Sequence, residues 1–328
     1  VAGDVPGSAW AWEVTPDGRL LAGELGFDVQ AQLIPARQHE ALVDLFGAAA
    51  RPEGVALTPP PPNAAPRQHL EPDRVLPVEV TVLGPASVRA PGPLEPDRVA
   101  LATELVVYLA VHPGGVHPNV LSAALWPRGV AADVRDAAVA RVTEWLGTDS
   151  IGRPHLAADA SGRLRLGSGV RVDWQVFQAL AGHAELALLG SAEQEDYLAR
   201  ALELVQGQLL DGRPPGRYAW LATDELEYEV TARVADAAHQ LVGLRLASRD
   251  PQGAMDAARA GLRLAFGDEL LWRDLLRAAH QTGQEEVLRA VVEEACARTA
   301  LDEVLPRMAP ETESLIDDLY PSWRTSVP

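Results

Sequence analysis

Residues 99–127 read VALATELVVYLAVHPGGVHPNVLSAALWP, and the fold turns on this stretch. Val99, Leu101, Leu105, Val106 and Leu109 recur at helical spacing, which predicts a helix over 94–111 with these residues on its buried side. Gly114-Gly115 ends it. Pro118 to Trp126 predicts a second, short helix, because proline suits a first turn, and Pro127 to Gly129 stops it. A third helix follows over 133–146, apolar at Val134, Ala138, Val142 and Trp145, with Asp133 as its expected cap.

Upstream, Val78 to Leu83 (VEVTVL) alternates as a strand does, Gly84-Pro85 turns, and Ser87 to Ala90 gives a second strand. Downstream, Pro154 to Asp173 predicts a hairpin: HLAAD, a turn at Ser161-Gly162, RLRLG, then Val170 to Val172. Strands, three helices and a hairpin, in that order, make a winged helix-turn-helix.

The remainder is helical. Ala219 to Ser248 is one long amphipathic run. Asp250-Pro251 restarts a helix through Ala265, Asp268 caps another to Gln281, and Gln284 to Arg298 follows. Asp250 and Gly283 open equivalent helices 33 residues apart, and Ala-Ala-His-Gln stands at both 237–240 and 278–281. That period predicts tetratricopeptide-like helix pairs with a concave groove.

Before residue 78 the chain changes character. Residues 51–77 carry eight prolines, four of them in a row from Pro59 to Pro62, which predicts a semi-rigid spacer. Residues 1–50 predict a small α+β segment: a hairpin over 10–21 turning at Pro16-Asp17-Gly18, then a helix over 35–46. The expected organisation is therefore 1–50, linker 51–77, winged helix 78–180, helical repeats 181–320 and tail 321–328. The fold class is mainly α with small β.

Composition narrows the chemistry. All 28 basic residues are Arg, so P-loop, kinase and Schiff-base lysines are excluded. A single cysteine, Cys296, excludes an intrachain disulfide and a multi-cysteine metal site. The net charge of −18 is uneven: residues 77–180 hold ten acids and nine Arg, net −1, whereas 181–328 hold 26 and 14, net −12. Only the middle third can approach a polyanion without strong repulsion.

The ordered phrases resemble the actinobacterial antibiotic regulatory protein family. Its first-helix and second-helix phrases stand here as Leu105 to Val116 and Leu121 to Pro127, and its V-D-x-x-x-F phrase as Val172 to Phe177. In the second half, Ala201 to Gly207, Trp220 to Val230, Asp268 to Trp272 and Pro310 to Leu319 match the family's bacterial transcriptional activator domain. The resemblance covers roughly residues 78–320. It implies a non-enzymatic transcriptional regulator: a DNA-binding winged helix followed by tetratricopeptide-like repeats. Some large relatives carry this pair at the end of a chain that begins with membrane and cell-wall-binding segments. The chain departs from the family where its third helix ends, with Val142-Thr143-Glu144-Trp145 in place of a basic phrase.

Candidate DNA contacts are Arg135 and Arg141 on the third helix and Arg163 and Arg165 on the hairpin, where alternation places both of the latter on one face. Candidate residues of a partner groove are Glu227, Arg233, His239, Arg273, Arg277 and His280, with Arg273 and Arg277 both expected to be exposed. His112 and His117 flank a Gly-Gly turn without further metal ligands and suit turn and cap roles. Cys296 and the tryptophans suit core packing, and Asp224 to Glu229 suits a solvated face. No catalytic constellation, cofactor or membrane contact is expected. The partners expected are a protein or a second copy at the array, with DNA binding electrostatically weak. The alternative to a DNA-binding regulator is a scaffold whose degenerate winged helix binds protein or a small signal. A cytoplasmic location is expected for this stretch.

Overall fold

The computed structural model describes residues 13–15, 19–22, 27–30, 76–301 and 308–323. The chain divides into two units, Val1–Ala64 and Ala65–Pro328. In the first, β1 (Glu13–Val14), β2 (Arg19–Ala22) and β3 (Phe27–Gln30) form an antiparallel sheet in that order, with Val14 opposite Leu20. Residues 13–14 and 20–21 of the expected hairpin are thus paired, residues 10–12 lie outside the described residues, and β3 adds a strand that the sequence reading did not foresee. The turn over 16–18, the helix over 35–46 and the linker up to residue 75 lie outside the described residues.

The second unit opens with β4 (Val78–Thr81) and β5 (Ser87–Arg89), paired antiparallel. One 3₁₀ turn, Pro96–Arg98, leads into α1 (Val99–Val111). The helix expected from Leu94 starts later because Glu95 precedes a proline and is held extended at φ −68°, ψ 140°. Val99 is consequently exposed rather than buried, and the core face is carried by Leu105, Val106 and Leu109. Next come α2 (Pro118–Leu125), α3 (Ala132–Leu146) and the hairpin β6 (Leu156–Ala158) and β7 (Leu164–Leu166). Val134 of α3, expected on its apolar side, faces solvent. β8 (Val170–Val172) returns to lie parallel to β4, giving the sheet order β5-β4-β8. This is the winged helix expected.

Helices α4 (Asp173–Leu186) and α5 (Ala192–Glu203) follow, then α6 (Leu226–Ala247), α7 (Pro251–Leu262), α8 (Glu269–Gln281), α9 (Glu285–Leu301) and α10 (Pro310–Leu319). The run expected from Ala219 is split. A 3₁₀ turn, Ala219–Thr223, ends at an extended Asp224, whose carboxylate accepts the Leu226 N–H at 2.9 Å. Asp250 and Asp268 cap α7 and α8 as expected, accepting from Gly253 and Leu271 N–H at 2.9 Å each; such caps contribute about 1 kcal/mol. Small residues let these helices approach closely. A Cβ on Gly261 would stand 2.5 Å from the Ala238 Cβ, and Ala237, Ala254, Ala258, Ala278 and Ala279 are all buried nearby in the array.

The winged half and the array share one core. Beyond α5 the chain runs back along the sheet: Gln206 N–H donates to the Leu83 carbonyl at 2.7 Å, and Leu210 N–H to that of Val82 at 2.9 Å. Asp173, from the V-D-x-x-x-F phrase, is buried at the start of α4. Its carboxylate accepts from Val82, Leu83 and Trp174 N–H at 2.7–3.0 Å. Glu104 of α1, 2% exposed, accepts the Tyr218 N–H at 2.6 Å and the Arg217 guanidinium at 3.3 Å. No described helix is long and apolar enough to cross a membrane.

Candidate functional site

Two surfaces carry the candidate residues: α3 with the β6–β7 wing, and the array face of α6 and α8. In α3 the cap position is Ala131, which contributes no side-chain bond, so Asp133 is not the cap. Asp133 sits inside the first turn, where its charge meets the positive end of the helix dipole. The outward side of α3 presents Asp133, Val134, Asp136, Ala137, Ala140, Arg141 and Glu144. Arg135 is turned away from solvent, its side chain 14% exposed. Its Nε donates to Asp136 Oδ1 at 2.7 Å and its Nη1 to Asn119 Oδ1 at 3.0 Å, so it straps α2 to α3. Arg141 is exposed and has no ion-pair partner among the described residues. The face a major groove would meet thus carries three carboxylates and one unengaged guanidinium.

The wing divides its two arginines. Asp159 organises the β6–β7 turn by accepting from Ser161 N–H, Ser161 Oγ and Arg163 N–H, and it accepts from Arg165 Nε at 2.7 Å. The Ser161 hydroxyl, then the Arg163 N–H, hold the Asp159 carboxyl well below the usual carboxylate range. Arg165 also donates through Nη2 to the Gly114 carbonyl at 2.7 Å, pinning the wing to the turn between α1 and α2. Gly115 is needed there, since a Cβ would stand 2.7 Å from Arg165 Nε. Arg165 is therefore folded back, and Arg163 alone projects with its guanidinium unengaged among the described residues. The two do not form the common charged face that alternation predicts, because Asp159, six residues before Arg165, captures one of them.

The capping histidines stand as expected. His117 Nδ1 accepts the Asn119 N–H at 3.2 Å at the start of α2. His112 ends α1 with Nδ1 2.7 Å from the Tyr108 carbonyl, and its Nε2 lies 3.2 Å from Asp224, across to the array. Cys296 is half-buried on α9, and burial raises its thiol pKa. Among the described residues, no group of three His, Cys, Asp or Glu could hold a metal ion.

The six array candidates do not form one surface. Glu227 borders a cavity of about 420 Å³ with Arg213, Thr231 and Phe266. Arg233 is spent in an i,i+4 pair with Glu229 at 3.1 Å. His239 and Arg277 do converge, through a residue the sequence reading passed over. Asp274 of α8, 4% exposed, lies 2.5 Å from His239 Nδ1 and 3.3 Å from Arg277 Nη1. Arg273 is half-buried, not exposed as expected. Its Nη1 donates to Thr312 Oγ1 at 3.3 Å, tying α8 to α10. Arg273 and Arg277 border a shallow groove with Pro310, Glu311, Ser314, Leu315 and Asp318 of α10. His280 is exposed one turn beyond Arg277. Asp274 escaped notice because its partner lies 35 residues away on another helix, a separation that no local motif encodes.

No family model matches the chain, and no curated protein matches it. Among solved structures, Mycobacterium tuberculosis EmbR in complex with a low-affinity phosphopeptide aligns with 77% of this chain at 20% identity and a TM-score of 0.51. The alignment covers 66% of the EmbR chain, just under two thirds of it. The likeness is one of fold, and that fold is a winged helix followed by a helical array.

Proposed function

We propose that the chain is a non-enzymatic regulatory module that works through protein contacts made by its helical array, and whose winged helix no longer reads DNA. The outward face of α3 carries this reading: Asp136 is paired with Arg135, and Asp133 and Glu144 stand against Arg141, with Val134, Ala137 and Ala140 between them. Such a face repels phosphate and suits a protein surface. The array's net −12 adds to the repulsion.

The second reading, a DNA-binding regulator of the antibiotic regulatory type, draws support from domain order and from the unengaged guanidinium groups of Arg141 and Arg163. A duplex-DNA mobility shift across a salt series separates the two. The expected outcome is binding weaker than roughly 10⁻⁵ M near physiological salt, with a shallow salt slope. Tight binding with a steep slope, lost when Arg141 and Arg163 are both changed to Ala, would establish the regulator reading instead.

A further inference from the structure

We propose that Leu186, Leu188 and Leu189, on the turn between α4 and α5, anchor a protein-docking surface whose occupant is a basic amphipathic helix of a partner protein. The inference rests on the array's role in protein contact and names where that contact is made and with what chemistry.

The three side chains are 86%, 80% and 86% exposed. With Tyr228 they are the four most exposed large apolar side chains among the described residues, and three of the four stand within four consecutive positions. Single leucines scattered over a surface are ordinary, whereas a contiguous exposed group marks a site of interaction. The turn that displays them is held on both sides. Ala187 N–H donates to the His183 carbonyl at 3.0 Å, and Ser191 N–H to that of Leu188 at 3.0 Å. Gly190, at φ 76°, donates its N–H to Oε1 of the buried Gln194 at 2.9 Å. Ser191 caps α5 by accepting the Gln194 N–H at 3.1 Å. The rings of His183 on α4 and Tyr197 on α5 stack with centroids 5.2 Å apart, and Ala184 and Leu198 are buried in the core. A backbone fixed in this way keeps the leucines outside and lowers the ordering cost of binding.

The surroundings select the occupant. Glu185 precedes the leucines and Glu193 follows them in the first turn of α5. Both are exposed, and neither has an ion-pair partner among the described residues. A second copy docked on the same turn would set these carboxylates against their own counterparts, between chains of net charge −18. An anionic lipid surface is repelled in the same way. A helix with an apolar stripe bordered by Lys or Arg meets both features, because the stripe covers the leucines and the flanks pair with Glu185 and Glu193. The patch is small against the roughly 20–30 residues per side of a standard interface, so the contact is weak and reversible.

The test uses the full chain and labelled peptides, followed by fluorescence anisotropy near physiological salt. The probe carries leucines at i, i+3, i+4 and i+7 with lysines elsewhere. Its controls are a scrambled peptide of the same composition and a peptide with glutamates in place of the lysines. The amphipathic lysine peptide should bind saturably, at least about tenfold tighter than either control. Leu186→Ser, Leu188→Ser and Leu189→Ser together should weaken it about tenfold or more while leaving the unfolding midpoint unchanged, because the side chains are exposed. Glu185→Lys with Glu193→Lys should reverse the preference in favour of the glutamate peptide. Equal affinity for the wild type and the triple variant overturns the proposal, since the peptide then follows the acidity of the array alone. A preference unaltered by the double change overturns the charge assignment. Self-association of the wild type in sedimentation, abolished in the triple variant, puts a second copy on the turn instead. Binding to phosphatidylcholine vesicles, lost in the same variant, puts a lipid surface there. The duplex-DNA series scores the α3 face separately, so an indifferent leucine turn with no DNA binding moves the contact elsewhere on the array and leaves the regulatory reading standing.

Discussion

The ring of His155 occupies the space that a side chain on Gly169 would need. A Cβ on Gly169 would stand 2.2 Å from His155 Cε1 and 2.6 Å from Nδ1. His155 is 1% exposed, and its Nε2 has no hydrogen-bond partner among the described residues. Gly169 thus serves to seat a buried ring beside β8.

Changing Gly169 to Ala should therefore destabilise the winged half by about 1–3 kcal/mol, the usual cost of overpacking. In a His155→Ala background the same change should cost much less, since the clash is gone. Denaturant unfolding of the wild type and the three variants of this cycle measures the coupling. Equal costs in the two backgrounds would show that the ring and the glycine are not in contact.

Glu104 holds the winged half to the array through a backbone N–H and a guanidinium. Glu104→Ala leaves the buried Tyr218 N–H without an acceptor, a loss of about 1–3 kcal/mol. Glu104→Gln keeps an acceptor and should lose less. Arg217 is about one-third exposed, so its ion pair adds little beyond the backbone bond. Unfolding midpoints that fall equally for both variants would place the energy in the ion pair instead.

Local rules reached the parts of this fold that local chemistry determines. Asp250, Asp268, His112 and His117 could be assigned from their positions at helix ends, because a cap bonds within three or four residues of itself. The alternation of VEVTVL announced β4, but nothing in it told that β8 would lie parallel to it, 92 residues later. The helical repeat was legible from Ala-Ala-His-Gln, yet the residue that organises its surface, Asp274, has the sequence signature of any helix acid. Arg135 and Arg165 show the same limit. Both are arginines in positions where the fold type places DNA contacts, and both are taken by acceptors, Asn119 and Gly114, on neighbouring elements.

Asp173 should make stability fall as pH rises. Burial, against the pull of the Leu83, Val82 and Trp174 N–H groups and the Arg171 charge, pushes its pKa from 3.8 to about 6. Between these values the folded chain keeps a proton that the unfolded chain releases. The stabilisation is thus complete below about 4 and is lost as pH rises through 6, on the order of 3 kcal/mol. Urea midpoints of the wild type and Asp173→Asn, compared from pH 4 to 7, isolate this group from the other carboxyls. The difference should move against the wild type as pH rises. A constant difference would mean that the carboxyl titrates near its unfolded value.

Glu269 should show the opposite sign. Burial raises its pKa, but the Thr312 hydroxyl and the Arg298 guanidinium together outweigh burial, and the net shift is downward. A depressed pKa contributes stability above the unfolded value near 4.5, and that contribution is lost as pH falls. The group matters because it joins three helices. Glu269 starts α8, Arg298 lies on α9 with its guanidinium 5.1 Å from the Trp272 ring centroid, and Thr312 lies in the first turn of α10. Thr312 is fully buried, donates to Glu269 Oε2 at 2.6 Å and accepts from Arg273. Thr312→Val keeps the shape and removes the hydroxyl, so α10 loses a hydrogen bond to a charged group, about 1.5–3 kcal/mol. Hydrogen-exchange protection of the α10 amides should fall about tenfold or more, while that of α6 and α7 is unchanged. Lowering the pH from 6 to 4 should weaken α10 protection in the wild type and change it less in the variant. If α10 protection is the same in both proteins at both pH values, the helix is held by its apolar face alone and Glu269 has no part in docking it.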